Sequence, residues 1–107
     1  MNLPPPITSF FHAFNTRDTG AFVALFAPDA LVSDEEHEYR GQVAVRGWFA
    51  TVHAKYKPNL EPTDFADNTG EIVVTTQVSG TFPGSPIQLH YHFTLKDGSI
   101  TALSIRN

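Results

Sequence analysis

The acid at the tip of an apolar strand is the residue of this chain best placed to do chemistry. Leu25-Phe26-Ala27-Pro28-Asp29-Ala30-Leu31-Val32-Ser33-Asp34 reads as a helix end, a Pro-Asp corner and a short strand that delivers Asp34 where it gives out. A carboxylate at the mouth of an apolar pocket is partly desolvated, which raises its pKa toward that of a useful general base. Such a base could take a proton from carbon next to a ketone, provided a donor stabilises the oxyanion that forms. The plainer alternative is that Asp34 opens a solvated acidic loop, because Glu35, Glu36 and Glu38 follow it. Tyr91 is the second candidate. It shares a strand face with Leu89, Phe93 and Leu95, so its hydroxyl is expected inward. There it serves either as a donor to a bound oxygen or as a core tyrosine bonded to a backbone carbonyl.

Other chemistries fall away on inspection. His90 and His92 stand at i and i+2, a spacing that metals use, but Thr94 and Lys96 share their face and the apolar set lies opposite. They are therefore expected on the outer surface of a sheet, and no metal site is expected. His37 lies among acids, and His12 and His53 flank apolar helical stripes. With no cysteine there is no thiolate nucleophile, disulfide or Cys-ligated zinc, which fits a reducing compartment. No glycine-rich phosphate loop and no Gly-x-Ser-x-Gly occurs, and no cofactor is expected. A formal charge of −4 with seven scattered basic residues argues against nucleic acid. Apolar runs fall far short of the ~20 residues of a membrane span. The first residues lack the basic and apolar regions of a secretory signal. A soluble, cytoplasmic protein without membrane contact is expected.

The elements that must position these residues follow from periodicity. After the stiff Pro4-Pro5-Pro6 lead-in, Ile7, Phe10, Phe11 and Phe14 share one helical face, and the helix should stop near Asn15-Thr16-Arg17-Asp18. Asp18 or Thr19 caps a second, short helix with Phe22, Leu25 and Phe26 inside, ended by Pro28. Ala30 to Ser33 is a strand and Asp34 to Glu38 a loop. A third helix carries Val45, Trp48, Phe49, Val52 and Tyr56 on one stripe and ends at Pro58. Beyond it the pattern alternates. Leu60 to Ala66 is a strand that Pro62 relegates to an edge or a bulge. Glu71 to Phe82 is a long strand with Ile72, Val74 and Val78 on one face and Val73, Thr75, Gln77 and Ser79 on the other. Ile87 to Lys96 follows, and Asp97-Gly98 is a hairpin signal joining it to Ser99 through Arg106. Helices first and antiparallel strands after them describe a single α+β domain over residues 1–107. Three short helices cannot cover a flat sheet of this length, so the sheet must curl and leave a concave interior.

These pieces, in this order, carry a family resemblance. They are Ala13-Phe14-Asn15-Thr16-Arg17-Asp18, then Ala24 through Ala30 with the strand ending at Asp34, and Tyr39-Arg40-Gly41 before the Trp48-Phe49 helix. The closing Phe93-Thr94-Leu95-Lys96-Asp97-Gly98-Ser99-Ile100 hairpin completes the set. From about Ile7 to Arg106 the chain resembles the nuclear transport factor 2-like superfamily, and within it the SnoaL-like and ketosteroid isomerase-type branch. The resemblance implies a cystatin-like, cone-shaped α+β barrel, usually a homodimer, with an apolar pocket between helices and sheet. Its members include isomerases, polyketide cyclases, dehydratases, hydrolases and non-enzymatic binding modules, so fold does not give function. Asp34 falls at the position of the isomerases' proton-shuttling aspartate. The tyrosine of their first helix falls on Phe10, which cannot donate, and the acid of their long strand falls on Tyr91, which can. Phe14, Phe26, Trp48, Val52, Tyr56, Val74 and Leu103 are expected to line the pocket together with Tyr91. The outer sheet face, with Val73, Ile87, His90 and His92, is expected to meet a second subunit.

Three functions remain open from the sequence. The first is cofactor-free acid–base catalysis on a small apolar carbonyl compound, as an isomerase, cyclase or dehydratase, with Asp34 as base and Tyr91 as donor. The second is a carrier of an apolar small molecule that performs no reaction. The third is a dimerisation domain whose interior is simply packed.

Overall fold

In the computed structural model, which describes residues 1–107, three helices from the first part of the chain pack on a single sheet to which both halves contribute strands. Helices α1 (Pro5–Thr16), α2 (Thr19–Ala24) and α3 (Gly41–Tyr56) accompany strands β1 (Phe26–Asp34), β2 (His37–Arg40), β3 (Asn59–Asn68), β4 (Glu71–Ser79), β5 (Ile87–Lys96) and β6 (Ser99–Arg106). The six strands lie in the order β2-β1-β6-β5-β4-β3, with β1 parallel to β6 and every other pair antiparallel. The mixed α+β class with a curled sheet, expected from the order of periods, is the one found.

Local chemistry sets the boundaries. Pro5 sits in the first turn of α1, where a missing N–H costs nothing, and Arg17 closes the helix in the left-handed region with its N–H on the carbonyls of Ala13 and Phe14. Asp18 then caps α2 by accepting from the Ala21 N–H at 3.2 Å. The second helix is shorter than its apolar pattern suggests. Phe26 belongs to β1 and pairs with Ile100, because the Leu25 carbonyl accepts from the Ile100 N–H at 2.9 Å and the sheet captures the backbone there. Pro28 lies inside the register shift between Phe26 and Leu31, a stretch of β1 that needs no ladder N–H from it.

Asp34 to Glu38 is not a loop. β1 runs to Asp34, only Glu35 and Glu36 form the turn, and His37 already pairs with Asp34. Both turn residues take left-handed φ values, 51° and 64°, which supply the twist a two-residue hairpin requires. The long fourth strand also stops early, at Ser79. The chain then leaves the sheet to cover the end of α3, where the Thr81 N–H and hydroxyl both donate to the Tyr56 carbonyl, at 2.7 and 3.1 Å. A side chain at Gly80 would stand 2.5 Å from that carbonyl oxygen, so glycine permits the approach. Pro62 lies in the edge strand β3, beside a bulge between Pro62 and Asp64.

One contiguous core fills the space between the helices and the inner sheet face. Its centre is Phe10, fully buried, with ring centroids of Phe11, Phe22 and Phe93 at 5.1, 5.2 and 5.0 Å. Asn15 ties α1 to β3, with its amide donating to the Leu60 carbonyl and accepting from the Leu60 N–H, each at 2.8 Å.

Candidate functional site

At the wider end of the core the packing opens into a cavity of about 340 Å³, within the size range of small-molecule sites. Each wall comes from a different element. Helix α1 contributes Phe14, α3 contributes Trp48, Val52 and Tyr56, β1 contributes Asp34, and β5 contributes Leu89 and Tyr91. Eleven of the fifteen lining residues are hydrophobic, so Asp34 sits against a wall that solvates charge poorly.

The geometry around Asp34 is specific. The Trp48 indole N–H donates to Asp34 Oδ2 at 3.0 Å, which fixes the carboxylate and leaves its second oxygen free of that bond. Burial raises the Asp34 pKa above the ordinary carboxylate range, with the neighbouring Glu35 charge adding to the rise. The Trp48 bond, the Glu35 backbone N–H and His37 oppose it. Tyr91, buried on β5, has its pKa pushed upward by burial first and by the Asp34 charge second, so its hydroxyl stays protonated. No other group of the chain bonds that hydroxyl, and it faces the cavity without being sealed off from it. A fixed base and a free donor thus share one apolar space.

Of the residues picked from the sequence, Asp34, Tyr91, Phe14, Trp48, Val52 and Tyr56 meet at this cavity. Phe26, Val74 and Leu103 do not reach it. All three are buried in the packed core, and around Phe26 the rings of Phe22 at 5.1 Å and Phe10 at 6.3 Å fill the space. Ile87 also departs from expectation. It stands on the face of Leu89 and Tyr91 and lines the cavity mouth rather than the outer sheet surface. His90 and His92 lie on that outer face, His90 against the Thr75 hydroxyl at 3.3 Å and His92 against Glu71 at 3.0 Å.

Other lining residues were missed. Leu60, Val78, Leu89 and Ile105 were visible as alternating apolar positions, but alternation does not say which of them border empty space. Glu35 lies in a tight turn that the run of acids disguises as a solvated loop. Phe82 gave no signal, because it lies past the end of β4 and reaches the mouth only through the Thr81 anchor on α3; its ring meets Tyr56 edge-on at 5.9 Å. The role of Trp48 was missed too, since helical spacing marks it as apolar wall and not as the donor to Asp34.

A curled sheet with helices on its concave side and a blind apolar cavity defines the nuclear transport factor 2-like, cystatin-type class of folds. Within that class the chain belongs to the SnoaL-like domain family, whose pattern matches residues 7–103. A candidate polyketide cyclase from Sinorhizobium meliloti superposes with a TM-score of 0.95 at 38% identity, over 97% of this chain and 95% of that one. A protein with a ketosteroid isomerase-like fold from Catenulispora acidiphila, solved with trimethylamine, gives 0.86 at 18% identity over 99% and 87%. SalBIII, an epoxide hydrolase/cyclase-like enzyme of pyran ring formation in salinomycin, gives 0.82 at 20% identity over 94% and 86%. No functionally curated protein matches the sequence. The fold is thus of a ligand-binding or cyclase type. No helix is long and apolar enough to cross a membrane.

Proposed function

We propose that this protein performs cofactor-free acid–base chemistry on a small apolar carbonyl compound, with Asp34 as general base and Tyr91 as oxyanion donor. The observation that carries the reading is the Trp48–Asp34 bond at 3.0 Å inside an apolar cavity that also holds the unbonded Tyr91 hydroxyl. The Asp34 oxygen not held by Trp48 takes a proton from the carbon next to a ketone. The C–H pair moves into the new C–C double bond, and the carbonyl pair moves to oxygen, which accepts from Tyr91. The enolate then either takes the proton back from Asp34 at the far carbon of a conjugated double bond, an isomerisation, or attacks a second carbonyl of the same molecule and closes a ring, the new alkoxide oxygen taking the proton back from Asp34.

Ring closure is the better-supported outcome. Phe10 supplies no second donor, and loss of one such donor typically costs ~2.7–4 kcal/mol of transition-state stabilisation. A substrate whose enolate is already delocalised over a second carbonyl, as in a poly-β-ketone, needs less help. The 38% identity to a candidate polyketide cyclase agrees with that class.

The test uses β-tetralone, an apolar bicyclic ketone, and follows deuterium exchange at its α-carbon by NMR. Asp34→Asn should slow catalysed exchange by about 10²–10⁴-fold while leaving ketone binding in place. Exchange at the wild-type rate in that variant removes the mechanism. Saturable binding with no catalysed exchange in the wild type would instead favour a carrier. We further propose a homodimer through the outer sheet face, where Val73, His90 and His92 remain partly exposed in one chain. Sedimentation at micromolar concentration should give a dimer, and a monomer there counts against this face as an interface.

A further inference from the structure

Beyond the apolar cavity lies a second, polar chamber of about 480 Å³ that shares Asp34, Glu35, Leu89, Ile87 and Ile105 with it. The shared residues place it directly against the mouth of the cavity. Glu35 and Glu36 stand on one side of it and Arg106 on another, so its carboxylates outnumber its cations. Glu35 alone among the turn residues also lines the inner cavity.

Two features set Glu35 apart from an ordinary solvated glutamate. Its φ of 51° lies in the left-handed region, where the two-residue turn would more readily take Asn-Gly. Its carboxylate is also held, because the Tyr56 hydroxyl donates to Glu35 Oε1 at 3.2 Å and draws the charge toward the end of α3. That a ligand enters here does not rest on the acids. It rests on the unbonded hydroxyl of Tyr91, a residue only 4% exposed, and on the apolar cavity that Tyr91 lines.

We propose that Glu35 is the residue that selects ligands by charge, admitting uncharged and cationic molecules to the cavity and disfavouring anionic ones. A ligand seated between Tyr91 and the mouth passes this negative charge at a few ångströms, although Glu35 is exposed and solvent screens part of its field. At an effective dielectric between that of a protein surface and that of water, one unit charge at about 6 Å changes affinity by roughly three- to tenfold. The inference rests on the proposed pocket but not on its chemistry, since a carrier would be subject to the same selection.

The test is a matched naphthalene set titrated calorimetrically at pH 7: 2-naphthol, the 2-naphthoate anion and the 2-naphthylmethylammonium cation. In the wild type naphthoate should bind about three- to tenfold more weakly than 2-naphthol, with the cation at least as tight as 2-naphthol, and added salt should shrink both differences. Glu35→Gln keeps an oxygen for Tyr56 and should cut the naphthol-to-naphthoate ratio about three- to fivefold, with 2-naphthol affinity changed less than twofold. Glu38→Gln removes an equal charge from exposed β2, outside both chambers, and should leave the ratio in place. An equal effect of Glu38→Gln would overturn the assignment to Glu35, as would an unchanged ratio in Glu35→Gln. Binding of all three probes with equal affinity overturns the charge selection and leaves the pocket standing. Absence of binding by any of them overturns the pocket as well.

Discussion

The two ends of the core are built from the same residue type and do opposite things. At the closed end Phe10, Phe22, Phe26 and Phe93 interlock around Phe10 with centroid separations of 5.0 to 6.3 Å. At the open end Phe14, Trp48, Tyr56 and Phe82 line the cavity. The difference lies in what each ring faces. Phe10 meets other rings on every side, from α1, α2, β1 and β5. Trp48 turns its N–H to a carboxylate and Tyr56 turns its hydroxyl to another, so each ring commits its polar edge to an acid at the cavity. Aromatic load alone makes a core. The polar partners mark the part of that core that borders the cavity, and burial against its apolar wall is what partly desolvates Asp34.

That contrast can be broken by substitution, and the largest effect is expected at the closed end. Phe22→Ala should destabilise the fold by about 3–5 kcal/mol, because the surrounding rings cannot collapse onto the space left. Phe82→Ala at the mouth loses mainly one edge contact with Tyr56, worth about 1 kcal/mol. Urea unfolding of both variants measures the gap, and similar losses would mean that the ends are packed alike. Tyr91→Phe separates function from packing at one residue. With no bond to lose, its stability should stay within about 0.5 kcal/mol of wild type. Its catalysed exchange of β-tetralone protons should fall by about 10²–10³-fold, the usual loss for one oxyanion donor.

The smallest effect is the pH dependence of stability. Burial raises the folded-state pKa of Asp34, so the folded chain holds that proton more tightly than the unfolded one. The penalty for ionising it is absent below the unfolded value, near 3.8, and grows as pH rises through the window up to the raised folded value. Asp34→Asn relieves that penalty but weakens the Trp48 bond at every pH. The stability of the variant relative to wild type should therefore be greater at pH 7 than at pH 3.5. The increment is small, since Asp34 is partly open to solvent and its charge is screened. A difference that does not vary with pH would mean that the carboxylate is as well solvated folded as unfolded.

Most of the fold was legible because it depends on periods and breakers that act locally. The Phe10–Phe14 stripe, the alternation of β5 and the Asp97-Gly98 turn each state their element within a few residues. The misread boundaries share a cause. Leu25-Phe26 continues a helical pattern, and only the Ile100 N–H, far along the chain, draws it into the sheet. Glu35-Glu36 looks like part of a polar loop because neither residue advertises a left-handed turn, and pairing with β2 forces one. Of the site, Asp34 and Tyr91 were legible as an acid at a strand end and a hydroxyl on an apolar face. Phe26, Val74 and Leu103 were apolar and inward as expected, but inwardness does not separate core from cavity wall.

The sequence by itself determined the class of fold, the face on which most strand residues lie, and the presence of one acid where a strand ends. These follow from side-chain period and backbone chemistry, which need only near neighbours in the chain. Tertiary structure decided where the core stays empty, that Trp48 holds Asp34, and that Tyr56 reaches Glu35 across the mouth. Those contacts join residues 14 and 21 positions apart on elements whose relative placement is set by the curl of the whole sheet. No local pattern encodes a gap, because a gap is the volume that all the surrounding side chains together fail to fill.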